Sequence, residues 1–254
     1  MMIYISCAKT MTAQSKLQVP FTTQPYFIDE ARQNVMDISQ FSMEELGRLL
    51  KINSKLAAEN YFRYHNFFSS EDKGLPAILS YTGIVFKRLA VKDFSDDDFR
   101  YAQEHLLITS FLYGLLRPLD VIKNYRLEGD VRLPERGNIS MFDYWKPVLT
   151  DFFIAEIKKQ GSVLINLASN EMKELFDWKR VCREVRVITP DFQVYKNGKL
   201  STVVIYAKMC RGEMTRFILK SRIENPEQIK SFEWEGFCYN ENESSGDHWV
   251  FTMG

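Results

Sequence analysis

Most of the residues in this chain that are spaced for chemistry are cations. In the stretch Ile205–Arg222, Lys208, Arg211, Thr215 and Arg222 fall on one side at 100° per residue, with Gly212 among them and Arg216 at the edge. Cys210, Met214, Phe217, Ile218 and Ser221 fall on a neighbouring side that suits a core. A helix that shows a cationic row beside a glycine lets a polyanion approach its backbone; a solvated Lys/Arg face is the ordinary alternative. Three stretches also place polar side chains where an apolar run ends: Ser6-Cys7-Ala8-Lys9-Thr10, Asn166-Leu167-Ala168-Ser169-Asn170-Glu171 and Tyr206-Ala207-Lys208. If those runs are strands of one sheet pointing the same way, the three sets converge on the rim where α/β sheets bind ligands. Lys9, Lys208 and Arg211 would then supply charge for phosphate, and Ser6, Thr10, Ser169 and Asn170 hydrogen bonds. Glu171 and Tyr206 are candidates for proton transfer. Ser169 or Asn170 could equally do no more than cap a helix.

The familiar catalytic patterns are missing. There is no G-x-S-x-G elbow, no H-E-x-x-H and no glycine-rich phosphate loop, and His65, His105 and His248 sit in unrelated contexts. Cys7, Cys182, Cys210 and Cys238 lie far apart, which suits a reducing compartment and gives no zinc pattern. Neither a metal nor a cofactor is expected. The 33 Lys and Arg balance 33 Asp and Glu, so no whole-molecule field draws the chain to nucleic acid or to a membrane. The balance hides a segregation: from Lys179 to Arg222 eleven bases face only Glu184, Asp191 and Glu213, and the tail after them is acidic. A local basic cleft on a neutral body is compatible with this.

The elements that must position these groups read as one mixed α/β domain over residues 1–254. Strands are expected at Met2–Ser6, at 105–110, at 162–167, from Val185 and again over 200–205 after an Asn197-Gly198 type I′ turn, and last at His248–Thr252. Helices are expected over 27–38, at 43–51 behind a Ser42/Glu45 capping box, from Asn53 or Ser54 to about 68, and in a short piece begun by Pro76. Two more follow, one after Ser95 with three acids in its first turn and one from Asp143 to about Lys159 with Pro147 in its first turn. Phe111–Pro118 carries Gly114 and reads as a tight turn, or as a hairpin between helices whose N–H groups could meet phosphate. The opening apolar run is too short for a signal peptide, and no run approaches the roughly 18 apolar residues of a membrane helix. A cytoplasmic protein with no membrane contact and no obligate protein partner is expected.

Taken in order, Ile5-Ser-Cys-Ala-Lys-Thr10, Leu112-Tyr-Gly-Leu-Leu-Arg-Pro-Leu-Asp120, Tyr125-Arg-Leu-Glu128, Asn166–Glu171, Tyr206-Ala-Lys208 with Arg211-Gly212, and Trp249-Val-Phe251 resemble the YaaA (UPF0246, DUF328) family of bacterial peroxide-stress proteins. The resemblance implies a mixed α/β domain with a family-specific fold, a positively charged cleft and a helix-hairpin-helix-like element. It also implies DNA binding and a role in limiting iron-driven oxidative damage to DNA. Laid on this chain, the hairpin element falls at Leu112–Asp120, with Arg117 and Arg126 bringing cations to it, and the cleft lysines are Lys9 and Lys208. The chain departs from the family's usual opening by having Cys7 for proline and Met11 for leucine. Cys7 beside Lys9 is either a lowered-pKa thiol or a small buried cysteine.

The leading expectation is DNA binding through phosphate contacts. With four to six phosphates neutralised, the log–log salt slope would be about −4 to −5. The competing expectation is an enzyme acting on a nucleotide or another phosphorylated small molecule in the same cleft.

Overall fold

The structure is a computed structural model that describes residues 1–254. The strands are β1 (Met2–Ile5), β2 (Leu75–Pro76), β3 (Leu106–Ser110), β4 (Gly114–Leu116), β5 (Val121–Ile122), β6 (Val163–Asn166), β7 (Arg186–Lys196), β8 (Lys199–Ser201), β9 (Cys238–Tyr239) and β10 (His248–Met253). The helices are α1 (Ile28–Ile38), α2 (Met43–Leu49), α3 (Ser54–His65), α4 (Ala77–Ser80), α5 (Ile84–Leu89), α6 (Asp96–His105), α7 (Met141–Lys159), α8 (Trp178–Glu184) and α9 (Val204–Ser221).

Every residue of β1 and β3 is buried, as continuous apolar runs become when a sheet is covered on both faces. They lie in a mixed sheet of order β4-β3-β1-β6-β7-β10-β9, with β8 paired to β7. The five central strands β3, β1, β6, β7 and β10 are mutually parallel; β4, β8 and β9 are antiparallel additions. A mixed α/β domain was the class read from the sequence, and one core cluster of 63 buried residues runs through it. No helix is long and apolar enough to cross a membrane.

Local signals act as their chemistry predicts. Ser42 and Glu45 close a capping box, Ser95 and Asp98 close another, and Asn53 accepts from the Leu56 N–H at 3.0 Å. Asn197 and Gly198 both have positive φ (53° and 74°), as a type I′ turn requires.

Three expectations change. The strand returning after the Asn197-Gly198 turn is shorter than 200–205: β8 pairs with β7 only to Ser201, and α9 begins at Val204. Starting there puts Ala207, Cys210, Met214 and Ile218 into the core, and that packing overrides the β-propensity of Val203-Val204-Ile205. Pro147 falls in the second turn of α7, because Ser140 caps a helix that starts at Met141. Leu112–Asp120 does not lie between helices. It belongs to a β3–β4 strand hairpin in which Ser110 pairs with Gly114, and Leu112, Tyr113, Leu115 and Leu116 are buried rather than presenting amides to a ligand.

Helix α9 crosses the molecule against α5, and Gly212 is what permits the approach. A Cβ at Gly212 would stand 2.3 Å from the Val85 carbonyl oxygen and 2.7 Å from Arg88 Cβ. Gly212→Ala should therefore force α5 and α9 apart and lower the urea unfolding free energy by about 1–3 kcal/mol. An unchanged midpoint and slope would show that the helices can part at no cost.

Candidate functional site

The ladder between β1 and β6 builds the site. These strands run parallel with Tyr4 opposite Asn166, so both leave the sheet at the same edge. Ser6 and Ser169 emerge side by side: the Ser169 N–H donates to Ser6 Oγ at 2.8 Å, and the two Oγ atoms are 3.2 Å apart. Ser169 Oγ in turn donates to Glu171 Oε1 at 3.3 Å. From the other neighbour, β3, Thr109 Oγ1 accepts the Cys7 N–H at 2.8 Å. Two exits therefore converge as expected from the sequence. The third set arrives differently, because Lys208 stands in the first turns of a helix and not at a strand end.

Above this floor lies a cleft of about 620 Å³. Its walls are the Ser6–Thr10 loop, the start of α5 from Gly83, the extended segment Tyr125–Asp130, the β6 exit and the Lys208–Arg211 side of α9, with Phe111 and Phe142 adding aromatic surface. The segment Tyr125–Asp130 alternates. Tyr125 and Leu127 are buried while Arg126 and Glu128 stay partly exposed on the cleft. It is pinned from below, since Tyr125 Oη lies 2.7 Å from both Tyr81 Oη and Ser110 Oγ, and the Tyr64 hydroxyl donates to the Arg126 carbonyl. Burial drives the Tyr81 and Tyr125 phenols far above their ordinary range, so this network is uncharged at any working pH.

Ser6, Lys9, Thr10, Arg126, Ser169, Glu171, Lys208 and Arg211 all line the cleft. The other five candidates do not. Asn170 is exposed in the short 3₁₀ turn after Ser169, and Tyr206 packs edge-on against Phe237. Gly212 is sealed against α5, so no polyanion can reach its backbone. Arg216 is forked onto Asp93 and also donates to the Leu89 and Ala90 carbonyls. Arg117 donates from Nε and Nη2 to Oδ1 of the buried Asp120, at 3.2 and 2.9 Å, and lies over the Tyr26 ring. The cationic row of α9 is likewise interrupted: Thr215 is buried and Arg222 ends the helix in the left-handed region near Asp98. Sequence reasoning passed over Glu128 and Asp130 as cleft residues. The apolar/polar alternation of Tyr125-Arg-Leu-Glu128 was the signal that could have found Glu128.

The cations of the cleft differ in their partners. Lys9 and Arg126 both pair with Glu128, and Asp130 is taken by Lys51. Lys208 is exposed without a carboxylate. Arg211 is partly buried, makes no ion pair, and its Nε–H is buried with no acceptor. Burial pulls its guanidinium below the usual arginine range, with Asp191 pulling weakly the other way. A buried charge without a partner is costly, and an anion in the cleft would relieve it. Lys208 and Arg211 are therefore the open end of the site, and Glu128 occupies both cations of the other.

Cys7 faces the cleft with a thiol that is held protonated. Burial pushes its thiol up to about 11, and the carboxylates of Glu171 and Glu128 add to the rise against the Thr109 hydrogen bond. At pH 8 it should hold on the order of a hundredfold less thiolate than an ordinary cysteine. Iodoacetamide labelling of Cys7, followed by mass spectrometry, should be slow at pH 8 and still climbing towards pH 11. A labelling rate at pH 8 equal to that of the urea-unfolded chain would contradict this.

Comparison with known proteins finds relatives over the whole length of the chain. The family model described as "Peroxide stress protein YaaA" matches residues 1–243. A UPF0246 protein of Phocaeicola vulgatus is 65% identical, with 100% of this chain and 99% of the relative covered. UPF0246 proteins of Parabacteroides distasonis and Porphyromonas gingivalis are 50% and 46% identical, each with 100% of both chains covered. A match of that length and depth settles kinship: this chain is a member of the YaaA family of peroxide stress proteins.

Proposed function

We propose that this peroxide-stress protein works in the cytoplasm by binding DNA at the cleft, and that it limits oxidative damage to the strand it holds. The observation that carries the reading is Arg211: a partly buried guanidinium, with no ion pair and a buried Nε–H that has no acceptor, opening beside the exposed Lys208. The volume of the cleft is that of a small-ligand site. It fits a nucleotide of a locally opened strand rather than an intact duplex laid along a groove. Contact is chiefly to phosphate, so binding tolerates sequence.

The number of free cations sets the salt dependence. Arg117 and Arg216 are committed to Asp120 and Asp93, and Lys9 and Arg126 to Glu128. Two cations, Lys208 and Arg211, remain without a carboxylate partner, which lowers the slope from the value suggested by counting bases along the sequence. Fluorescence anisotropy with a bubble-containing duplex over a salt series should give a log–log slope of about −2. Arg211→Ala and Lys208→Ala should each flatten it by about one unit. Absence of binding at low salt, or mutants that leave the slope alone, would overturn the reading.

A second reading has its own observation. The Ser6–Ser169–Glu171 hydrogen-bonded chain beside the cations is more than phosphate contact needs. It is what an enzyme acting on a nucleotide or other phosphorylated small molecule would use to move a proton. Thermal-shift screening of nucleoside mono- and triphosphates tests it, and no stabilisation by any of them counts against it.

A further inference from the structure

Lys9 and Arg126 are held in a particular way. Lys9 Nζ donates to Glu128 Oε2, and Arg126 Nη2 donates to Glu128 Oε1 at 3.0 Å. One carboxylate thus presents one oxygen to each cation, as the two non-bridging oxygens of a phosphodiester would. The arrangement leaves a donor over: Arg126 Nε–H is buried with no acceptor. The backbone around it is fixed, because Tyr125 and Leu127 are buried and Tyr64 holds the Arg126 carbonyl. Only the Glu128 side chain, partly exposed at the cleft, has to turn for the two cations to be released.

We propose that Glu128 stands in for a second phosphate. It pairs with both Lys9 and Arg126 while the cleft is unliganded and yields them to a ligand carrying two phosphate groups, such as two successive phosphates of a nucleic-acid strand. The inference rests on the reading of the cleft as a phosphate site and adds the ligand class and its control. A ligand with one phosphate is held by Lys208 and Arg211 alone. A ligand with two must displace Glu128 to gain the second contact, so the carboxylate discriminates by the number of phosphates while keeping the resting cleft close to neutral. The exchange trades one oxyanion for another, so neither cation is stripped of a partner on the way.

The test compares the full-length chain with Glu128→Gln, which keeps the side chain's size and one oxygen acceptor but removes the charge. Anisotropy with the bubble-containing duplex should show the salt slope steepening by about one unit, from about −2 to about −3, because the substitution removes one negative charge from among the phosphate contacts. Calorimetry with adenosine 3′,5′-bisphosphate should show a gain of at least about tenfold in the variant, against less than about threefold for adenosine 5′-monophosphate. In the otherwise unchanged protein, Lys9→Gln alters an exposed side chain and should weaken the bisphosphate without affecting the monophosphate; this arm decides the matter should Glu128→Gln not fold. An unchanged slope and an unchanged bisphosphate affinity in Glu128→Gln would overturn the inference. If neither protein binds DNA yet the bisphosphate gain appears, the DNA reading fails and the stand-in role survives. If DNA binds with its Arg211 dependence intact but Glu128→Gln changes nothing, the reverse holds.

Discussion

The backbone ladder between β1 and β6 is the constraint on which the rest of the cleft depends. Parallel pairing with Tyr4 opposite Asn166 sends both chains out of the sheet at one edge, and the Leu167 N–H still bonds to the Tyr4 carbonyl at the last rung. Parallel strands need long crossover connections, so the two exits belong to segments about 160 residues apart in the chain. The ladder rather than the loops therefore sets the distance between Ser6 and Ser169. Because both strands are buried among neighbours on either side, the floor is rigid, and the variable parts of the site are the side chains standing on it.

Charge in this cleft is governed by pairing more than by the number of bases. Four cations line it together with three carboxylates. Two of the cations share Glu128 and one carboxylate is held by Lys51, which lies outside the lining. What remains to attract an anion is the pair on α9. Of that pair, Arg211 owes its position to the same packing that excludes Gly212, since helix α9 turns one side to α5 and the next to the cleft. A helix face that reads as a continuous basic row is thus divided by burial into an open part, Lys208 and Arg211, and a closed part. In the closed part Arg216 and Arg222 answer to Asp93 and Asp98, as does the nearby Lys220.

The Leu112–Asp120 segment shows the same division between motif and environment. Arg117 and Asp120 sit three residues apart, and together with Thr23, Gln103 and Tyr26 they tie a loop to the body of the protein. Burial raises the Asp120 carboxyl while the Arg117 guanidinium and the Thr23 hydroxyl pull it down, as befits a hydrogen-bonded structural knot. The motif that most resembled a nucleic-acid element is structural.

Sequence alone determined the features that rest on neighbours in the chain. The capping boxes at Ser42 and Ser95, the Asn197-Gly198 turn, the buried strands and the polar clusters at two strand exits need only local hydrogen bonds, positive φ or an uninterrupted apolar run. The family resemblance likewise rests on short ordered motifs. Tertiary structure decided where α9 begins, which helix face is sealed and which cations are free. Those outcomes depend on groups far away in the chain: Glu128 meets Lys9 across 119 residues and Asp93 meets Arg216 across 123. No local periodicity encodes such a meeting, because an ion pair is settled by where the fold brings two side chains and how much water it leaves between them.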